Sequence, residues 1–245
     1  MEKFIALSNP SKKVLQVARM SSTLPVNVLI LGEIGVGKKL LANEILPNSQ
    51  SFKARELEKL ILNYKINLEE YSSLILYDIT EVLNKKQFLL NLKDIKLVVT
   101  STIEQDDYLS NFPVKIEILP LKERVEDLEE LKQMYIKEAN KIYDTSEVDN
   151  DIKVDLSKNG ISLKQSIYKT IALQSTNKDD VMNILYNYFL KELQKGKDYK
   201  TLLGVFEIPL LNASKKLYSS QVKMSQKLNI NRITLRKKIA QYFER

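Results

Sequence analysis

The chain has 245 residues with 38 Lys and Arg against 31 Asp and Glu, a net charge of +7, and 44% apolar content. This length and apolar share suit one large domain, or two to three smaller ones, around a real core, and exclude disorder as the main state. With no cysteine and no histidine, disulfides, thiolate catalysis, imidazole acid–base chemistry and Cys- or His-ligated metal sites are removed together.

The N-terminus, MEKFIALSNPSKK, lacks the apolar core of a signal peptide, and no apolar run approaches the roughly 18 residues that span a bilayer. The expectation is a cytoplasmic chain without a membrane segment. Residues 26–31 (VNVLIL) form a buried-strand pattern followed at once by GEIGVGKK and then by the helical LLANEIL. Strand, glycine loop and helix in this order form a P-loop, G-x-x-x-x-G-K, in which backbone N–H groups and a helix N-terminus cradle phosphates. The candidate nucleotide-binding residues are Gly32, Glu33, Gly35, Val36, Gly37, Lys38 and Lys39. The three glycines permit close backbone approach, and Lys38 is expected to reach the β- and γ-phosphates. Lys39 stands where the Ser or Thr magnesium ligand belongs, so no metal is assigned, and ATP or ADP is the cofactor implied. Two readings of the loop stay open: a structural or regulatory nucleotide ligand, or a relic that caps a helix.

Residues 74–77, 97–102 and 116–119 read as further short buried strands separated by helical patterns, the arrangement of a parallel α/β sheet. The pairs Asp106–Asp107 and Asp179–Asp180 read as loop or helix-start residues. Residues 143–153, with four acids in eleven positions, read as a solvated connection. Residues 181–193 (VMNILYNYFLKEL) read as a helix whose Tyr186, Tyr188 and Phe189 belong to a core or dimer face. No repeat, heptad or low-complexity tract is present.

Charge concentrates at the end of the chain. From position 212 onward there are nine basic residues and one acid, a net +8, so the other 211 residues sum to about −1. There, residues 221–228 form a short helical stretch, Asn229 tolerates the left-handed backbone of a tight turn, and a second helix begins near Asn231. Its apolar Leu235, Ile239 and Tyr242 fall at i, i+4, i+7 and pack inward, leaving a basic, polar remainder. A helix with Arg, Thr and Lys near its start suits a major groove, with Arg on guanine edges and Lys on phosphates. The candidate DNA-binding residues are Ser220, Gln221, Asn231, Arg232, Thr234, Arg236, Lys237 and Lys238.

Ile230-Asn231-Arg232 and Thr234-Leu235-Arg236-Lys237-Lys238 closely resemble the helix-turn-helix of the Fis family, N-Q-T-x-A-A-x-x-L-G-I-N-R-x-T-L-R-K-K-L. The usual turn glycine is Asn229 here, and one of the paired alanines is Ser225. Glu207-Ile208-Pro209-Leu210-Leu211 resembles the start of the Fis helix before the motif. In Fis-like domains that helix and the one preceding it form a dimer core, so the resemblance implies a homodimer on double-stranded DNA.

The form GExGxGK, together with IEILPLKERVEDLEELKQMYIKEANKIY at residues 116–143, resembles the AAA+ domain of sigma-54-dependent transcriptional activators. Its counterpart there is I-x-L-P-P-L-R-E-R-x-E-D-I and a lid helix. The implied fold is α/β: an AAA+ P-loop parallel-sheet domain (residues 1–123), a small helical lid (124–177), and an all-α Fis-type helix-turn-helix domain (178–245). The family's chemistry is incomplete. Its T-L-F-L-D-E-I-G-E-L aligns with SLILYDITEV, putting Tyr77 at the metal Asp and Asp78 at the catalytic Glu; sliding by one restores Asp78 as metal ligand but leaves Ile79 at the Glu. Thr102 stands at the polar sensor Asn, EQDDYLSNFPVK carries none of the family's arginine fingers, and Ser162 in NGISLKQ is nearest to the lid's sensor arginine. Only 39 residues separate Lys38 from Asp78, with no G-A-F-T-G-A among them.

The expectation is therefore a bacterial, sequence-specific, dimeric transcriptional regulator that is not an enzyme, acting by occupancy or by direct contact with RNA polymerase. It has no receiver domain before the P-loop, so phosphorylation in cis is not the expected input. The alternatives are a weak ATPase or nucleotide-sensing regulator, and a nucleoid, architectural or adaptor protein.

Overall fold

A computed structural model describes residues 3–145 and 152–243, in two compact units, Met1–Ser175 and Thr176–Arg245. In the first unit the order is α1 (Asn9–Ser22), β1 (Val28–Leu31), α2 (Lys38–Ile45), β2 (Gln50–Lys53), α3 (Ala54–Leu62), β3 (Ser73–Tyr77), α4 (Lys85–Asn91), β4 (Lys96–Ser101), α5 (Asp106–Leu109), β5 (Val114–Glu117), α6 (Val125–Tyr143) and α7 (Asn159–Gln174). The five strands form one sheet in the order β2-β3-β4-β1-β5 with parallel pairing throughout. In register, Val28 lies opposite both Val98 and Val114, and Leu74 opposite Leu97.

Parallel strands carry helices on both faces, so their inner residues are apolar on both sides. Side chains alternate along a strand, and β3 shows it: Leu74 and Leu76 enter a core with Leu57, Phe88, Tyr108 and Phe112, while Ile75 enters the opposite core with Leu41, Ala42 and Ile45 of α2. Tyr77 continues the Ile75 side, toward α2. The four expected strands are present as β1, β3, β4 and β5, and the glycine loop leads from β1 into α2 as expected. β2 and α1 were not expected. β2 is a short, polar edge strand, and α1 starts at Ser8, whose side chain accepts the Ser11 N–H, with Pro10 in its first turn.

The lid pairs α6 with α7 around Tyr135, Ala139, Leu163, Ile167 and Ile171. Asp106 opens α5. Of the acidic connection, positions 146–151 lie outside the described residues.

The second unit contains α8 (Lys178–Gln194), α9 (Tyr199–Leu217), α10 (Gln221–Lys227) and α11 (Arg232–Phe243). α8 opens with a capping box, the Asn177 side chain accepting the Asp180 N–H while the Asp180 carboxylate accepts the Asn177 N–H, which accounts for the Asp179–Asp180 pair as a helix start. α9 begins at Tyr199 under an Asp198 cap and runs through Pro209, rather than beginning at Glu207 as the Fis resemblance suggested. Leu211 of α9, Met224 of α10, and Leu235 and Ile239 of α11 form the small core here, flanked by Tyr218, Leu228, Ile230 and Tyr242. Asn229 makes the turn between α10 and α11 with φ 52°. Among the described residues, no helix is long and apolar enough to cross a membrane.

Candidate nucleotide site and DNA-facing helix

In the loop from Gly32 to Gly37 every carbonyl accepts a hydrogen bond from the protein. Gly32 O and Glu33 O accept from Lys38 Nζ at 2.5 and 2.9 Å, and Ile34 O from Asn159 Nδ2 at 3.0 Å. Gly35 O accepts the Gly160 N–H at 3.1 Å, Val36 O accepts Arg124 Nη2 at 2.9 Å, and Gly37 O accepts the Leu41 N–H at 3.0 Å. Among the described residues no protein acceptor engages the amide N–H groups from Glu33 to Lys39. Engaged carbonyls and unengaged amides at the start of a helix suit an anion cradle.

Glycine is required at two positions. Gly35 has φ 81°, and a Cβ there would lie 2.1 Å from the Lys158 carbonyl oxygen; Gly37 has φ 106° with the Phe4 ring 3.1 Å from the same added atom. The lid thus rests directly on the loop. Val36 is buried in the sheet core.

The stretch LPLKERVED supplies the supports. Arg124 and Asp127 are buried and paired at 3.3 Å, and the Arg124 guanidinium also reaches Ser11 Oγ. Asp127 in turn accepts the backbone N–H groups of Leu7 and Ser8 at 2.7 and 2.8 Å, and the hydroxyls of Ser8 and Ser11. Burial lowers the Arg124 pKa from its ordinary value, against the opposing pull of Asp127. Asn159 joins three pieces: its Nδ2 donates to the Glu33 carboxylate and to Ile34 O, and its Oδ1 accepts the Leu121 N–H. Glu33 is thereby a structural member of the loop rather than a group aimed at a ligand.

A cavity of about 540 Å³ opens beside the cradle, lined by Gly35, Lys38, Lys39, Asp78, Thr102 and Lys164 among others. It has the size of an ordinary ligand pocket. Lys38 is 8% exposed and folds back on its own loop; burial lowers its pKa below the usual lysine value, opposed by the Asp78 and Glu33 charges. Asp78 follows β3 with φ 60° and donates its N–H to Thr100 Oγ1. Lys39 is exposed, with its Nζ 4.6 Å above the centre of the Tyr77 ring.

Two expectations about the lid are corrected. Ser162 does not face the cavity: it is buried, with its hydroxyl donating to Asp155 O and accepting the Lys158 N–H. The lid cation at the cavity is Lys164, which lies 5.1 Å from the Tyr135 ring and pairs with Glu138 at 3.1 Å. Helix phase alone finds it, since Gly160, Ile161, Lys164 and Gln165 share one side of α7 and line the cavity together. Thr102 does line it, just beyond the end of β4.

Magnesium does not fit these residues. A P-loop metal takes a Ser or Thr hydroxyl and a strand-end carboxylate in octahedral oxygen geometry; the Lys39 ammonium stands at the first position and, in the best-matching register, the Tyr77 phenol at the second, which leaves Asp78, one residue beyond β3, as the single carboxylate lining the cavity. Among the described residues no group of three or more acidic side chains gathers to hold a cation.

In the second unit, Arg232, Thr234, Arg236 and Lys237 are exposed on α11. Asn231 caps that helix, its Oδ1 accepting the Ile233 N–H at 2.8 Å; Ser220 caps α10 through the Lys223 N–H, and Gln221 is exposed at the first position of α10. Lys238 differs from the rest: it turns back to pair with Glu207 of α9, which also accepts the Tyr242 hydroxyl at 2.9 Å. The sequence reading passed over Ile233, 67% exposed on the face opposite Leu235 and Ile239. An apolar contact to a thymine methyl is one way a recognition helix reads bases.

The sheet order, the lid and the loop before α2 make a P-loop α/β unit. Residues 4–67 match the model of the Sigma-54 interaction domain family. The chain is similar in structure to NtrX from Brucella abortus in complex with ATP, at a TM-score of 0.60 and 12% identity, over 99% of this chain and 70% of that one. The ADP complex of NtrX from Brucella abortus gives a TM-score of 0.60 at 13% identity, over 98% of this chain and 69% of that one. A further NtrX structure from that organism gives 0.56 at 12% identity, over 97% and 69%. At such identities the likeness is one of fold. No curated protein matches the sequence.

Proposed function

We propose that the chain is a dimeric, sequence-specific DNA-binding transcriptional regulator whose AAA+ unit holds a nucleotide as a ligand and does not drive sigma-54 remodelling. The observation that carries this reading is α11: four exposed residues, Arg232, Thr234, Arg236 and Lys237, on a helix anchored by Leu235 and Ile239 behind a tight turn at Asn229. Such a disposition suits a helix-turn-helix recognition helix, in which exposed cations serve phosphates and groove. Two such helices reading adjacent turns of a duplex require two copies. α8 supports that partner, since Met182, Ile184, Tyr186 and Leu193 are 57–65% exposed and a soluble helix with that apolar surface is covered by something.

The first unit supports binding without turnover. The amide cradle and the cavity suit a phosphate ligand, and the NtrX structures contain ATP and ADP. Hydrolysis asks for a metal carboxylate, a group to position water and a cation against the developing charge. Tyr77 and Lys39 replace the metal ligands, and residues 103–115 carry no arginine. Between Lys38 and Asp78 the chain is occupied by α2, β2 and α3, with no surface loop of the G-A-F-T-G-A kind.

Selection of bound duplexes from a random library by the full-length chain, followed by anisotropy on the winners, tests the proposal. A defined palindromic site, with binding weakened by Arg232→Ala and Lys237→Ala, is expected. Enrichment of no sequence, with affinity retained, favours the architectural reading, and unchanged binding in both variants refutes the assignment of α11.

A further inference from the structure

We infer that the cavity binds its nucleotide without a divalent cation, the Lys39 ammonium taking the metal's electrostatic place. This rests on the nucleotide reading above and goes beyond it to the form of the ligand. In a P-loop site the residue after the loop lysine donates a hydroxyl to the metal, and the carboxylate at the end of a neighbouring strand holds the metal from the other side. Both positions have changed here, and the structure brings the two replacements together: Lys39 Nζ sits 4.6 Å over the Tyr77 ring. A phenol ring under an ammonium stabilises that cation where it stands, by its face quadrupole. A lysine beside a carboxylate would instead be neutralised by it.

The two changes also agree in sign. A di- or triphosphate needs positive charge near its oxygens, and a metal held by a carboxylate supplies only the remainder after that carboxylate is counted. Of the charged residues lining the cavity, Lys38, Lys39 and Lys164 are basic and Asp78 alone is acidic. Lys164 is paired with Glu138, so two ammonium groups, Lys38 and Lys39, with the unengaged amides of the loop, provide charge-assisted donors to the phosphate oxygens without any bridging ion. A divalent ion added to this set would meet the Lys39 ammonium and find no carboxylate at Tyr77, with Asp78, already close to Lys38, as its one anionic partner in the lining. Its arrival is therefore opposed where, in a hydrolytic site, it is required. Asp78 is close enough to Lys38 to favour its charged form, while Gly32 O and Glu33 O hold that lysine in place.

Calorimetry with ATP and with ADP on the full-length chain, in magnesium and again in excess EDTA, provides the test. The expected result is affinity within about threefold in the two conditions, and a loss of about tenfold in EDTA for Lys39→Thr, the order expected for one charge-assisted contact. Because Lys39 is exposed, that variant keeps its thermal melt. The double variant Lys39→Thr, Tyr77→Asp rebuilds the metal ligands and is expected to bind in magnesium and fail in EDTA. If the unmodified chain binds only in magnesium, or if Lys39→Thr binds in EDTA as well as its parent, this inference is overturned and the nucleotide reading stands. If the unmodified chain binds neither nucleotide in either condition, the nucleotide reading itself falls.

Discussion

The salt dependence of DNA binding follows from the side chains that α10 and α11 leave exposed. Lys223, Lys227, Arg232, Arg236 and Lys237 point to solvent, while Lys238 is held by Glu207. Two copies in the proposed dimer present five cations each. If all of them neutralise phosphates, the slope of log affinity against log salt is about −9; if both arginines of each copy read bases instead, it is about −5. At the steeper limit, affinity falls by about five orders of magnitude between roughly 50 and 200 mM salt. Lys237→Ala removes one cation from each copy and is expected to flatten the slope by about 2. Lys238→Ala is expected to leave the slope unchanged, because its charge is already spent on Glu207. The assay is fluorescence anisotropy of a labelled duplex from the selection, titrated at five or so salt concentrations for each variant. A parent slope shallower than about −3, or a Lys238→Ala effect as large as that of Lys237→Ala, refutes the argument that these exposed cations meet the duplex.

Asp127→Ala strands the buried Arg124 and removes the acceptor of two backbone amides and two hydroxyls, so a loss of about 3–5 kcal/mol in urea unfolding is expected. Combining it with Arg124→Met should cost less than the sum of the single changes, since the stranded charge is then gone; additivity would show that the two do not interact. Glu207 gives a pH signature. Burial pushes its pKa up, but hydrogen bonds from Lys238 and Tyr242 outweigh that and hold it below the ordinary 4.5. A depressed carboxylate contributes stability that is present above 4.5 and lost as pH falls through the lowered value. Glu207→Gln is therefore expected to be less stable than its parent at neutral pH and to converge with it in acid, in thermal melts across pH; a constant gap would exclude the ionic contribution.

What the sequence revealed was what local pattern encodes. The P-loop, with its strand before and helix after, depends on contiguous residues and was legible in GEIGVGKK; so was the turn at Asn229 and the inward stripe of Leu235, Ile239 and Tyr242. β2 was not, because Gln50–Lys53 is a polar edge strand defined only by its pairing with β3, which no local periodicity reports. α1 carried readable signals in Ser8 and Pro10. The lid cation was missed for a different reason: matching letters put Ser162 at the sensor position, whereas the phase of α7 puts Lys164 at the cavity. Lys238 belongs with its neighbours by composition, but Glu207, 31 residues earlier, claims it. The meeting of Lys39 with Tyr77 joins positions on separate elements, and each looked in isolation like a mere loss of function.

Under the proposed function the nucleotide is a ligand that is bound and not consumed, and that has a measurable consequence for stability. The loop is held by Lys38, Asn159, Gly160 and Arg124 before any ligand arrives, so little ordering cost opposes binding. With no turnover to reset the site, occupancy follows concentration alone, and the folded state gains stability as RT ln(1 + [L]/Kd), about 2.7 kcal/mol at 100 times Kd. The thermal midpoint should then rise with the logarithm of ATP or ADP concentration and hold steady through hours of incubation. A midpoint that drifts from the ATP value to the ADP value over that time, in a Lys38-dependent way, would mean that the altered metal position still supports hydrolysis. The cradle would then belong to an enzyme after all.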